Sequence, residues 1–365
     1  MRIALVHDWL IGMRGGERVL EELIRAHPSA DLFTLIHVPG ATSPLIESRP
    51  IRASFLSRLP GIGRHHQLAL PLFPTAIRRL DLTGYDLVIS CSHAVAKSVR
   101  VPPGALHLSY CLTPMRYVWD LRETYQGTGL VRRLGTPLNA YLQGFDRRTE
   151  EVDRFLTIST AVQERVARHY GRESHVVHPP VDTHRFRANG RPPEDFYLLV
   201  TAFTPYKQVG LALEAFRLLG RRLVVVGDGP ARRLHESRAP ANVEFVGRID
   251  DAELARLYAS CRALVSPQEE DFGLAAVEAQ ASGRPVITYG RGGAVDTVRP
   301  LREDEETPTG VWFDRQQPTH LAQAVRDFEK HEGRFQADVF RLWAERFSAE
   351  RFQHEFQSEI RALTQ

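Results

Sequence analysis

Two glutamates, Glu270 and Glu278, flank seven residues in the run Glu269-Glu270-Asp271-Phe272-Gly273-Leu274-Ala275-Ala276-Val277-Glu278. A glycine lies between them, and Gly283 and Pro285 close the stretch, the punctuation of a helix that starts near 273 and stops before 283. The first N–H groups of such a helix lack intrahelical acceptors and carry the positive end of its dipole, so they suit an anion. Glu278 then lies about 7 Å along the axis, and Glu270 sits on the loop at the other side. A nucleotide diphosphate sugar fits that order, with the sugar at Glu270, the phosphates at the helix start and the ribose hydroxyls at Glu278. Spacing alone also describes a capped helix with two solvated glutamates.

Lys207, in Thr204-Pro205-Tyr206-Lys207, follows an apolar run and falls in a strand-to-helix loop, where a lysine can hold a phosphate as a point charge. The loop Gly12-Met13-Arg14-Gly15-Gly16 occupies the corresponding place near the start of the chain and lets the backbone approach a ligand closely. Neither this loop nor Gly227-Asp228-Gly229-Pro230 has the spacing of a dinucleotide fingerprint. His169, His175, His178 and His184 cluster in sequence, but no cysteine or carboxylate completes a ligand set. With no Asp-x-Asp in the chain, the expectation is that no metal and no cofactor is used. His93 follows a strand, and both a ligand-facing and a capping role fit it.

The elements that must position these groups alternate. Strands are predicted over 2–6, 85–90, 105–111 and 154–159, then over 197–202, 223–226, 243–246, 263–266 and 285–288. Helices are predicted over 17–26, 161–170 and 209–218 between them. Such alternation predicts an α/β chain with parallel sheets covered by helices on both faces. The proline-rich stretch around 180–195 divides it into an N-terminal domain over 1–185 and a C-terminal domain over 193–346. Both are read as doubly wound and Rossmann-like, with ligands at the carboxyl ends of the strands in a cleft they face. The amphipathic segment 347–365 has no strand after it and is expected to pack back across the boundary.

At 365 residues, 43% hydrophobic and 25% charged, the composition excludes a disordered chain. A net charge of +3 gives no ground for nucleic-acid binding. Three cysteines without a paired spacing predict a reducing, cytoplasmic setting, and the N-terminus turns charged too early for a signal peptide. One segment departs from this balance. Between Ser48 and Leu80 there are six arginines, two histidines and no acid, interleaved with Phe55, Leu56, Leu59, Leu68 and Leu72. It reads either as an anionic-membrane contact or as a basic loop packed over the first domain.

The run 270–285 resembles the glutamate-x7-glutamate motif of the group 1 (family 4) retaining glycosyltransferases. Met1 to Leu10, YDLVISCSHAVAK (85–97), TPMRYVWD (113–120), Pro205-Tyr206-Lys207, Gly227 to Pro230 and Tyr289-Gly290-Arg291-Gly292-Gly293 resemble the mannosyltransferase-like branch that builds bacterial surface polysaccharides. The likeness implies a GT-B fold and a hexosyltransferase that moves a hexose, mannose favoured, from a nucleotide diphosphate sugar. The implied acceptor is a saccharide, free or polyprenyl-linked, which would favour the membrane contact and a place at the inner membrane face. It also implies roles. Lys207 would contact the diphosphate and Glu278 the ribose. Glu270, with the backbone of Phe272, Gly273 and Leu274, would hold the transferred sugar, which makes Glu270 and Lys207 the catalytic pair. Gly15 and Gly16 would lie near the phosphates, Arg248 near the base, and Arg116 and His93 on the sugar or acceptor side.

Two positions depart from the family pattern. Leu112 stands where many members have a histidine that meets the sugar, and Ala202 where many have an arginine partnering the lysine. Two other readings remain open on sequence: a nucleotide-sugar epimerase on the same fold, and a non-catalytic nucleotide-sugar-binding subunit.

Overall fold

Short apolar runs become the strands of two parallel sheets. The computed structural model describes residues 1–120 and 130–365, which divide into two compact units, Met1–Pro180 with Glu350–Gln365 and Val181–Ala349. In the first unit β1 (Ile3–Leu10), β2 (Asp31–His37), β3 (Ile51–Ala53), β4 (Leu87–Ser92), β5 (Leu106–Cys111), β6 (Arg154–Thr157) and β7 (His175–Val176) form one sheet in the order β3-β2-β1-β4-β5-β6-β7. In the second, β8 (Tyr197–Val200), β9 (Leu223–Val226), β10 (Val243–Gly247), β11 (Leu264–Ser266), β12 (Val286–Tyr289) and β13 (Gly310–Phe313) follow the order β10-β9-β8-β11-β12-β13. Every pairing in both sheets is parallel. Strands β4 and β9 are buried at every position, as strands covered on both faces must be.

Each order reverses once, at β1/β4 and at β8/β11. The loops leaving the two strands of such a pair diverge to opposite faces and open a crevice at their carboxyl ends, where α/β sheets bind ligands. The candidate residues on 201–208 and 267–274 leave β8 and β11, the pair that borders the second crevice.

Several boundaries differ from expectation for identifiable reasons. β1 runs on to Leu10 because His7 and Asp8, which resemble a polar strand end, are buried with partners. The His7 ring nitrogen Nδ1 lies 3.1 Å from the Cys91 carbonyl, and the Asp8 carboxylate accepts the backbone N–H groups of His93, Ala94, Val95 and Ala96. The first helix is Gly15–Ala26, so Gly15 and Gly16 open a helix instead of belonging to a loop. The Glu17 side chain reaches back to accept the Arg14 N–H at 2.9 Å and sets that earlier start. Ser159 caps the helix Thr160–Tyr170 through the Val162 N–H, which ends β6 at Thr157.

The helix Ala349–Thr364 falls in the first unit from Glu350 onward. There Phe352 and Phe356 set their ring edges on Tyr110, and Glu359 pairs with Arg154 and His175 at 3.0 Å each. No helix among the described residues is long and apolar enough to cross a membrane.

Candidate functional site

Lys207 ends a single 3-10 turn, Pro205–Lys207, that follows β8, and Gln208 takes a left-handed conformation at φ 53° before the helix Val209–Leu219 begins. That turn aims the lysine toward the loop leaving β11. Its Nζ donates to Glu270 Oε1 at 2.5 Å, and Gln268 Nε2 donates to the same oxygen at 2.6 Å. Burial alone would pull Lys207 down, but the Glu270 carboxylate, with Tyr206 and Asp271 nearby, holds it above the ordinary lysine value. The ammonium is therefore kept through the neutral range, and its charge is lost only as the pH climbs past that of a free lysine.

The loop bearing Glu270 is pinned by the glycines after β12. Glu270 and Gly292 form a β-bridge, and the Gly293 N–H donates to the Glu270 carbonyl at 2.8 Å. A Cβ on Gly292 would stand 2.3 Å from that carbonyl, at a backbone φ of +64°. Gly292→Ala is therefore expected to cost about 2–3 kcal/mol of stability and to shift Glu270. Thermal melting reads the first effect and turnover the second; a variant unchanged in both would show that the bridge holds nothing in place.

Gly273, at φ +93°, then turns the chain into the helix Leu274–Ala281, in which the Ala276 N–H donates to the Gly273 carbonyl at 2.9 Å and the N–H groups of Leu274 and Ala275 come before that first bond. The Phe272 side chain is buried edge-on to Phe347, so only its backbone faces this turn.

Glu278 lies further along the same helix and accepts the Tyr258 hydroxyl at 2.9 Å. Burial, and then the Glu278 charge, push the Tyr258 phenol well above its usual value, so it stays protonated and donates. Arg248 is exposed just after β10. The structure thus joins Lys207 to Glu270 and sets Glu278 apart with a partner of its own. Ala202 is exposed beside the same turn, its carbonyl accepting the Thr204 N–H at 2.6 Å.

Gly15, Gly16, His93 and Arg116 belong to the first unit. The position a Cβ on Gly16 would take is 2.9 Å from a Leu112 methyl and 3.4 Å from the His7 ring, so Leu112 packs over the opening turn of that helix. Beneath it His7 Nε2 lies 3.5 Å from Glu17 Oε1, both buried. Burial alone would lower His7, but its contacts to Cys91 and Glu17 raise it well above an ordinary histidine. His93 places Nδ1 3.2 Å from Asp8 and its ring against the Trp9 edge, and burial lowers its pKa against the pull of Asp8. Its backbone N–H is one of the four that the Asp8 carboxylate accepts, so Asp8 is the cap of this segment and His93 one of the residues it holds. Arg116 is half-buried in the turn after β5.

The sequence reading missed Gln268, Tyr258 and the His7–Glu17 pair. Gln268 stands two residues before Glu270 and could have been noticed; Tyr258 is twenty residues from Glu278 and is brought there only by packing. The four clustered histidines disperse: His169 stacks on Trp119, His175 meets Glu359, His178 meets the Ile158 carbonyl and His184 meets Arg187. Among the described residues no group of three or more His, Cys, Asp or Glu is arranged to hold a metal ion.

Comparison with known proteins adds a second line of evidence. The family profile described as Glycosyl transferases group 1 matches residues 181–339, and that described as Glycosyltransferase Family 4 matches residues 13–185. A D-inositol 3-phosphate glycosyltransferase of Streptomyces bingchenggensis is 34% identical over 181 residues, 40% of each chain. The O-antigen chain mannosyltransferase C of Escherichia coli is 33% identical over 102 residues, 26% of this chain and 28% of that one. A GDP-mannose-dependent alpha-mannosyltransferase of Corynebacterium glutamicum is 42% identical over 78 residues, 21% of this chain and 19% of its own. The matches thus span well under two thirds of these relatives' lengths. Among solved structures, Anabaena HepE in complex with UDP superposes with a TM-score of 0.72 at 16% identity, covering 99% of this chain and 100% of that one. The sucrose-phosphate synthase of Thermosynechococcus elongatus does so with 0.76 at 20% identity, covering 100% and 99%. At these identities the likeness shows a shared fold, GT-B with two Rossmann-like sheets.

Proposed function

This chain belongs to the group 1 glycosyltransferases, and from that premise we propose that it transfers a hexose, mannose favoured, from a nucleotide diphosphate sugar to a saccharide or lipid-linked saccharide acceptor with retention at the anomeric carbon. The observation that carries the proposal is the Lys207–Glu270 pair at the β8/β11 switch point. Breaking the bond between a sugar and its diphosphate leaves positive charge on the ring carbon and negative charge on the departing oxygen. An ammonium and a carboxylate 2.5 Å apart offer a counter-charge for each.

In this reading an entering diphosphate draws Lys207 away from Glu270 and takes the first N–H groups of the helix Leu274–Ala281 as further donors. The freed carboxylate, still held by Gln268, then faces the sugar. Glu278 takes the ribose hydroxyls. For retention without a protein nucleophile, the acceptor oxygen approaches the face from which the diphosphate leaves. Its bond to the anomeric carbon forms as the carbon–phosphate oxygen bond breaks, and its proton passes to the departing phosphate oxygen. His93 and Arg116 are read as acceptor-side groups of the first unit. The motifs of the mannosyltransferase-like branch support mannose, as do the names of two of the relatives.

The test is nucleotide release from a panel of GDP-, UDP- and ADP-hexoses, each with and without a saccharide acceptor. Release is expected to be fastest from GDP-mannose and to require the acceptor. Conversion of the free nucleotide sugar without acceptor would make the protein an epimerase instead. Because Lys207 and the helix start meet the diphosphate in this reading, turnover is expected to survive EDTA. Complete loss, restored by magnesium or manganese, would overturn that assignment.

A further inference from the structure

Beneath the Gly15–Gly16 turn the first unit buries a set of titratable groups that the transfer step leaves unused. His7 and Cys91 are the last residues paired between β1 and β4, where the sheet order reverses. His7 is fully buried, and each of its ring nitrogens faces an oxygen. Nδ1 lies 3.1 Å from the Cys91 carbonyl, and Nε2 lies 3.5 Å from Glu17 Oε1 on the helix Gly15–Ala26. A carbonyl and a carboxylate can only accept, so a neutral ring would set one bare nitrogen against an acceptor in the dry interior. Only the imidazolium, with an N–H on each side, suits both. Glu17 is 3% exposed and takes the Arg14 N–H on its other oxygen at 2.9 Å. Burial alone would raise Glu17, but the contact with His7 holds it below the ordinary carboxylate value. The ring also touches the turn itself. A Cβ on Gly16 would stand 3.4 Å from His7 Cε1, and the Cys91 thiol lies 4.0 Å from the Gly16 carbonyl.

We propose that His7 is a positioning residue for the donor diphosphate: by donating to Cys91 and Glu17 together it fixes the Gly15–Gly16 turn against the end of β4, so that the N–H groups of the turn are aimed before the nucleotide arrives. This rests on the transferase reading, with that turn beside the donor phosphates. The hold depends on one proton, and the groups around the ring do not share it. Burial raises the Cys91 thiol, which stays neutral. Burial lowers His93, whose ring centre is 6.0 Å from that of His7. The Asp8 carboxylate is filled by four backbone N–H groups, and Arg14 is exposed. Burial alone would lower His7 too, but Cys91 and Glu17 raise it well above the ordinary value. The hold is therefore complete at and below the ordinary histidine value of about 6.5, and is lost as the pH rises through the raised one.

The test is calorimetric titration of the full chain with GDP and with UDP, in steps from about pH 6.5 to about pH 10, alongside amide hydrogen exchange of residues 14–19. Wild-type affinity for the nucleotide that binds is expected to fall about 10-fold across this range, the loss of one ordered hydrogen bond. Protection of the turn is expected to fall with it. His7→Gln has a single side-chain nitrogen and cannot bridge both oxygens. It is expected to bind about 10-fold more weakly already at the low end, and to lose only what the nucleotide's own titration removes at the high end. Glu17→Gln keeps an oxygen for the Arg14 N–H but removes the charge that holds the His7 proton, so its loss is expected to set in at lower pH than in wild type. A merely structural contact would not move that midpoint. Equal affinity and equal exchange in His7→Gln and wild type would overturn the proposal, as would an alkaline loss that sets in at the same pH in wild type and both variants. A wild type that binds neither nucleotide would instead sink the transferase reading. The hold on the turn would then be upheld by faster exchange in His7→Gln and overturned by equal exchange.

Discussion

Lys207→Ala is expected to lower kcat/KM for the nucleotide sugar by roughly 30- to 1,000-fold, about 2–4 kcal/mol of transition-state stabilisation. The size follows from where the charge sits. Lys207 is 15% exposed and bonded to Glu270, so its attraction for a diphosphate is little screened by water. Its removal has two consequences: the leaving group loses a counter-charge, and the Glu270 carboxylate faces a dianionic ligand without the ammonium that offset it, though Gln268 still donates to it. The donor KM should rise and kcat should fall, because the charge on the departing oxygen grows toward the transition state. A parallel melt separates this from a folding defect. An alanine variant as efficient as wild type would mean that the diphosphate lies elsewhere.

What could be read before the fold was known has a physical pattern. β9 was legible to the residue because Leu-Val-Val-Val is a continuous apolar run, and a strand covered on both faces needs nothing else. β1 was cut short because His7 and Asp8 look like a surface, although Asp8 serves as the buried cap for four N–H groups of another segment. β2, β3, β7 and β13 carry no such signal: Thr34 divides the apolar run of β2, β3 and β7 are three and two residues long, and Gly310 opens a β13 of only four.

The candidate site shows the same division. Glu270, Gly273 and Glu278 lie on one short segment and were visible as a spacing. Lys207 was visible from its place after a strand. The bond between Lys207 and Glu270 depends on β8 and β11 being neighbours, and it joins residues 63 apart in sequence, which no local pattern carries. Tyr258 beside Glu278 was invisible for the same reason.

The two glutamates are expected to separate kinetically, and their partners say why. Glu278 already accepts the Tyr258 hydroxyl, and a glutamine can still accept it through its carbonyl oxygen. Glu278→Gln therefore keeps the local packing and removes only a charge-assisted bond to a ribose hydroxyl, worth about 1–2 kcal/mol. That contact is equal in the ground and transition states, so the donor KM should rise about 10-fold with kcat nearly unchanged. Glu270→Gln removes the charge itself. Lys207 loses the carboxylate that holds its ammonium in place. If the new amide nitrogen takes the place of Oε1, it meets a second donor in Gln268. The positive charge developing on the sugar ring is then unopposed, and kcat should fall about 100-fold or more, with a smaller change in KM. If Glu278→Gln carried the kcat loss and Glu270→Gln the KM rise, the nucleotide would lie at Glu270 and the sugar toward Glu278. The donor would then run the other way along the helix Leu274–Ala281, and Lys207 would be at the wrong end of it to meet the leaving group.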